Sequence, residues 1–246
     1  MRFKTILLTL IFSTVCLSNE SEYNIDRLDW GKFLDKGSTV SVENLYGNIL
    51  IKKSYSQSFS IHAVNQNHNS KNNKAQFLIE EKDNNISIKI AFDKDHLIEK
   101  ERSDISLIMP KGLHLSIIMD TGKLTAKKII NPITITAESA QIYLTTKSQF
   151  NVSSNQGDIF VKILDNSKPQ SSSIQSYKGD ITLQYLVDKP YLDVISGKTV
   201  VSNSAELLST KKQSQRHVLF NNPKSETKIN IKNDTGNVIL IDKSNK

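Results

Sequence analysis

The chain of 246 residues has one cysteine, one tryptophan and five prolines. After its first residues it also lacks any apolar run long enough to cross a membrane. The single cysteine, Cys16, falls within the opening MRFKTILLTLIFSTVCLS. This stretch reads as a secretory signal: Arg2 and Lys4 form the charged start and Ile6 to Leu17 the apolar run. Cys16 and Ser18 are the small residues at the −3 and −1 positions of a cleavage after Ser18. The apolar run is too short for a membrane span. A chain starting at Asn19 would carry no thiol, which excludes disulfides and thiol catalysis. Lipid attachment at Cys16 is the rival reading, and Val15 is a poor residue to precede a lipidated cysteine.

Other absences narrow the function classes. No Arg cluster or aromatic–basic alternation points to nucleic acid. The histidines, His62, His68, His96, His114 and His217, form no His-x-x-x-His pair and no cluster with acids, so metal-ligand spacing is missing. No Gly-x-Ser-x-Gly elbow is present. Catalytic, cofactor-binding and metal-binding residues are therefore all read as none, and no cofactor is expected. Removing Arg2 and Lys4 takes the net charge from +7 to +5. Such a basic exported chain suits anionic envelope polymers or lipid headgroups. Lysines spread along the chain also blunt sheet edges.

What the chain does have is a repeat. Apolar alternation, a polar step, a Gly or Ala and a second alternation recur at Gly47, Gly122, Ala140, Gly157, Gly179, Gly197 and Gly236. Five residues before this corner stand Val42, Ile117, Ile135, Val152, Ile174, Leu192 and Ile231. Two after it stand Ile49, Leu124, Ile142, Ile159, Ile181, Thr199 and Val238. Period-two alternation on both sides means half-buried strands. The two inward positions are seven apart, an odd number, so the chain must turn between them, and glycine accepts the positive φ of such a turn. Asn84, flanked by Phe77, Ile79, Ile86 and Ile88, and Ser103, followed by Ile105 and Leu107, supply two further corners. Corner spacings are close to one or two units of ~19 residues, a length that must stack on neighbours to bury an apolar face.

The expected architecture is all-β, a parallel β-helix or β-solenoid-like stack of such rungs in which Val152, Ile174 and Leu192 lie above one another. An antiparallel sandwich of hairpins is the alternative, since a hairpin also reconciles the odd spacing. Residues 1–18 are the signal, 19–37 an N-terminal capping segment with Trp30, Phe33 and Leu34 over the open end, 38–242 the repeat domain and 243–246 a polar tail. The stretch FSIHAV at 59–64 reads as a strand, 65–75 as a protruding loop, and 93–104 as a helical turn or solvated loop. Pro110, Lys111 and Gly112 make a turn. Residues 203–227 fit the template badly and read as a degenerate rung around Val218 and Phe220, or a loop.

Two residues invite a chemical reading. Asp158 and Asp180 stand just after successive corners, so a parallel stack would place them ~4.8 Å apart. Paired carboxylates at that range suggest a glycosidase pair or a cation site. The same column reads Asn48, Lys123, Gln141, Lys198 and Asn237 elsewhere, as expected of a solvated turn ridge. Trp30 has a similar alternative as a ligand-stacking ring.

The opening VSVENLYGNILIKK, the central ISLIMPKGLHLSI and the serial Gly-Asp-Ile and Thr-Gly corners resemble the bacterial putative-adhesin β-strand-repeat family over residues 38–242. The resemblance implies a right-handed parallel stack on the outer side of a membrane, periplasmic or at the cell surface, with no catalytic residues. The expectation is an exported, non-enzymatic adhesin-like domain binding a protein or polysaccharide partner of the envelope, without nucleic acid. A polysaccharide-active β-helix enzyme is the alternative.

Overall fold

The computed structural model describes residues 23–68, 76–92, 102–164, 171–186, 190–203, 208–212, 215–220 and 225–243. These residues form strands and no helix. The first half comprises β1 (Tyr23–Phe33), β2 (Thr39–Asn44), β3 (Ile49–Lys53), β4 (Ser58–His68), β5 (Gln76–Lys82), β6 (Asn85–Ala91) and β7 (Arg102–Met109). Two long strands follow, β8 (His114–Ile129) and β9 (Ile133–Thr146). Then come β10 (Phe150–Gln156), β11 (Ile159–Ile163), β12 (Ser171–Lys178), β13 (Ile181–Tyr185), β14 (Tyr191–Ser196) and β15 (Val200–Ser202). The chain ends with β16 (Leu208–Lys212), β17 (Gln215–Phe220), β18 (Lys228–Asn233) and β19 (Val238–Asp242).

All these strands connect into one large sheet. It has two limbs, because β8 and β9 run through the corner and belong to both. Before the corner the order is β5, β6, β2, β8, β9, β10, β12, β18, β14, β17, β16. After it the order is β1, β4, β7, β3, β8, β9, β11, β13, β19, β15. Pairing is parallel through the middle of each limb and antiparallel where β1, β4, β5, β16 and β17 close the ends.

Parallel register brings equivalent residues of successive repeats into contact. One inward column runs Ile88, Val42, Ile117, Ile135, Val152, Ile174, Ile231, Val194, each the register partner of the next. None is more than 2% exposed. A second runs Ile105, Ile49, Leu124, Ile142, Ile159, Ile181, Val238. β-Branched side chains suit these pleated, fully covered rows, and burying each stabilises the fold by about 1.5–3 kcal/mol. At the corner the backbones of successive repeats nearly touch. A Cβ on Gly122 would lie 2.1 Å from the carbonyl oxygen of Gly47, and the φ of Gly122 is +119°. Glycine is required there by close approach as well as by conformation.

Several sequence expectations need correction. Asn84 is not a corner. Asp83 and Asn84, with φ of 49° and 62°, form the two-residue turn of an antiparallel hairpin, in which Ile79 faces Ile88. Two successive positive φ values match the twist of paired strands. Ile86 and Ile88 then pair with Val40 and Val42, before the corner rather than after it. Ser103 does behave as a corner, with Ile105 and Leu107 opposite Ile49 and Ile51.

The stacking order also departs from chain order at both ends. Above Ile174 lies Ile231, and above that Val194; Leu192 instead pairs with Ile229. The last repeat in sequence is thus inserted beneath the one that precedes it. Likewise β2 and β3, the first repeat, lie inside β6 and β7. The frame around Gly197 shifts by two residues, so Val194 and not Leu192 occupies the five-before column.

Smaller differences follow the pairing. Residues 59–64 lie in β4 as expected, but β4 extends to His68, so the expected loop begins later; residues 69–75 lie outside the described residues. Residues 102–104 belong to β7, and 93–101, including Ile98, lie outside. The stretch 203–227 contains the β16–β17 hairpin, whose Val218 is buried opposite Val194. The N-terminal strand β1 adds edge-on to β4. Trp30 packs edge-on against Phe59, ring centroids 6.0 Å apart, and Leu34 joins the core. Phe33 does not, being 76% exposed.

Candidate functional site

The column just after the corner brings Asp158 and Asp180 side by side, as the spacing predicts. Each carboxylate holds a neighbouring backbone. Asp180 donates its N–H to Asp158 Oδ1 at 2.9 Å. Asn237 donates its N–H and its Nδ2 to Asp180 Oδ1 at 2.9 and 3.0 Å. Thr199 Oγ1 donates to Asn237 Oδ1 at 2.7 Å. The other end repeats the pattern: Asn48 donates its N–H to Asp104 Oδ1 at 2.9 Å, and Lys123 donates its N–H to Asn48 Oδ1 at 3.0 Å. An amide oxygen serves at Asn48 as a carboxylate serves at Asp158, while that of Asn237 accepts from a hydroxyl. Where this column carries Asp or Asn, the side-chain oxygen acts as an acceptor, a role short Asx side chains fill readily.

The histidines are dispersed. His62 Nδ1 lies 2.5 Å from Asp29 Oδ1 across the β1–β4 pair. His217 Nε2 lies 2.6 Å from Asp193 Oδ1. His114 is exposed between the buried Leu113 and Leu115. The side chains of His68 and His96 lie outside the described residues. Among the described residues no group of three His, Cys, Asp or Glu is arranged to hold a metal ion. Trp30 is half-buried against Phe59, so its ring serves the fold.

A different feature stands out on the outer face of the second limb. Three residues after each corner the side chain points away from the core. This row reads His62, Ser106, Leu50, Thr125, Tyr143, Phe160, Thr182, Ile239, each the register partner of the next. Ser106, Leu50 and Thr125, smaller than the flanking rings and lysines, form a floor. His62 and Val64 rise on one side, and Tyr143, Phe160 and Lys123 on the other. They enclose an open groove of about 770 Å³, also bordered by Asp104 and Lys127. Tyr143 is 40% exposed. Its ring lies 6.3 Å from that of Phe160 at an interplanar angle of 34°, and Lys123 Nζ lies 4.7 Å from its centre. Such a cation sits in the negative potential of the ring face.

Among the described residues Lys123 and Lys127 have no carboxylate partner. Asp104, across the groove, is already engaged: its Oδ1 accepts from Asn48 and its Oδ2 lies 3.4 Å from Arg102. Sequence reasoning missed this groove. The available signal was an outward column holding Leu50, Tyr143, Phe160 and Ile239 where alternation calls for polar residues.

This is an all-β repeat fold with a groove on one outer face. A solved structure of a bacterial protein is similar in fold. A putative cell adhesion protein from Clostridium sporogenes aligns over 88% of this chain and 100% of its own, at 11% identity and a TM-score of 0.51. A putative adhesin from Bacteroides fragilis aligns over 88% of this chain and 97% of its own, at 13% identity and a TM-score of 0.43. At such identity the likeness to the Clostridium protein speaks for the fold alone. No protein-family model and no curated protein matches the sequence.

Proposed function

We propose that this chain is an exported, non-enzymatic, adhesin-like module that binds a partner or polymer of the cell envelope through the outer face of its second limb. The observation that carries the reading is the groove: the exposed ring of Tyr143 and the half-buried ring of Phe160 beside two lysines that have no carboxylate partner among the described residues. An exposed face with grouped apolar and aromatic side chains marks an interaction site more often than scattered apolar residues do. The fold likeness to a protein described as a putative cell adhesion protein supports the same reading, as does the signal-like stretch 1–18, which would deliver the chain to the periplasm or cell surface.

The architecture we favour is a right-handed β-solenoid. In-register parallel pairing of successive repeats supports it, and each terminal repeat tucked beneath an outer one would cap the stack. The polysaccharide-cleaving alternative has less support. Asp158 and Asp180 each accept a hydrogen bond from a neighbouring backbone N–H on an outer ridge, which accounts for both carboxylates as turn residues.

The test is a surface-binding assay. Purified protein should bind intact bacterial or host cells saturably, and Tyr143→Ala combined with Phe160→Ala should abolish binding without unfolding the chain. Absence of binding to any cell surface, or release of reducing sugars from a polysaccharide that depends on Asp158 and Asp180, would overturn the proposal.

A further inference from the structure

The shape and charge of the groove point to its occupant; this step rests on the surface-binding reading above. We infer that the groove takes an acidic polysaccharide, a glycan chain whose rings carry carboxylates.

Three features of the site combine in this. The first is shape. The walls stand on β4 and β9, four strand steps apart, or ~19 Å at the usual spacing. Between them β7, β3 and β8 present Ser106, Leu50 and Thr125 along the middle of the floor, with Asp104 on β7 and Lys123 and Lys127 on β8 bordering it. One polymer chain fits there, lying along the strands. The second is ring chemistry. Tyr143 is 40% exposed, with Lys123 and Phe160 as its neighbours. The part of the ring left exposed offers an apolar, electron-rich surface on which the C–H groups of a pyranose can pack. The hydroxyls of Ser106 and Thr125 lie on the floor, within the reach of sugar hydroxyls. The third is charge. The acids of the opposite wall are engaged, Asp104 with Asn48 and Arg102, and Asp29 with His62. The positive charge without a carboxylate partner among the described residues is therefore the pair Lys123, which lies over the Tyr143 ring, and Lys127, flanking Thr125 on one strand. Two ammonium groups on one wall match carboxylates spaced along one side of a uronate chain and discriminate against a neutral glycan.

A single-stranded nucleic acid also combines rings with charge. It uses a continuous basic track along the phosphates and successive rings for successive bases. The lysines of the groove are confined to Lys123 and Lys127 on one strand, and its Tyr and Phe rings to Tyr143 and Phe160, so no such track is present and the uronate polymer is the better fit.

The experiment measures binding of the purified protein to polygalacturonate, alginate and hyaluronan, with dextran and poly-dT as comparisons, by calorimetry at low and high salt. At least one uronate polymer should bind, more weakly at high salt, and dextran should not. Lys123→Ala with Lys127→Ala should lower affinity by at least about tenfold, the least expected from losing even one of the two charge-assisted contacts. Tyr143→Ala should lower it by about fivefold. Lys178→Ala with Lys228→Ala, exposed positions on the first limb, removes the same net charge and should leave affinity unchanged; circular dichroism melts confirm that each variant folds. Failure of all three uronates, tighter binding to poly-dT, or equal losses in both lysine doubles would overturn the inference. A parallel arm separates it from the reading beneath it. Groove-dependent binding to cells that survives enzymatic removal of their uronates defeats the glycan alone. No binding to any cell surface defeats both.

Discussion

Asp180 donates its backbone N–H to Oδ1 of Asp158 at 2.9 Å, and Asn237 makes the same contact to Asp180 one repeat further on. What the position needs is an acceptor oxygen. Asp158→Asn and Asp180→Asn should therefore change stability by no more than about 0.5 kcal/mol. The Ala variants should each cost about 0.5–1.5 kcal/mol, the net worth of a hydrogen bond. Urea denaturation distinguishes the two sets; equal losses for Asn and Ala would mean that charge matters.

The corner glycines should differ from glycines in open turns. A Cβ on Gly157 would lie 2.3 Å from the carbonyl oxygen of Ala140, whereas a Cβ on Gly37 meets nothing within 4 Å. Both have positive φ, +108° and +90°. Gly37→Ala should cost about 1–2 kcal/mol, the conformational term alone. Gly157→Ala should cost about 3 kcal/mol or more, because two backbones must move apart. Thermal melts of the two variants, compared directly, test the difference.

Side chains of the inward columns should dominate stability. Ile135 and Ile159 are 0% and 1% exposed, and replacing either with Ala should cost about 2–5 kcal/mol. Lys123→Ala, on the outer face, should change the unfolding midpoint little. A small effect at Ile135 would place it outside a packed interior.

The inserted order of the last repeat can be checked by cross-linking, since Cys16 is the only native cysteine. Ser173 is the register partner of Asn230, and Asn230 of Tyr191 plus two, Asp193. Cysteines at 173 and 230 sit one strand spacing apart, ~4.8 Å, within disulfide range. They should oxidise readily, shown by faster migration on non-reducing gels. Cysteines at 173 and 191, neighbours if repeats stacked in chain order, should not. The reverse result would restore sequential stacking.

Export predicts a mature N-terminus at Asn19. Edman sequencing of protein recovered from outside the cytoplasm checks it; an intact Met1 or a lipid on Cys16 would refute the cleavage.

Much of the interior was legible in the residues alone. Facing alternates with a period of two, a purely local property, so Val42, Ile117, Ile135, Val152 and Ile174 could be assigned inward without knowing their neighbours. The corner glycines were legible for the same reason, because the odd spacing across them forces a turn. The acid pair was also brought together as its spacing implied, though as backbone acceptors.

Which strands meet was not legible, and the errors share one cause. Moving the frame by two residues leaves every side chain on the same face, so alternation cannot detect it. That is why Leu192 could stand in for Val194, and why Ile86 and Ile88 could be set after a corner at Asn84. Inward burial holds in either case; only long-range pairing with Val40 and Val42 decides. The insertion of β18 between β12 and β14 is likewise a choice among equivalent apolar faces. The groove belongs to this second kind of knowledge. The sequence by itself determined the strands, the inward rows and the turns, because these follow from local alternation and backbone sterics. Tertiary structure alone decided that His62 and Tyr143 stand as opposite walls of one groove, because the strand order β4, β7, β3, β8, β9 is set by pairing between residues far apart in the chain.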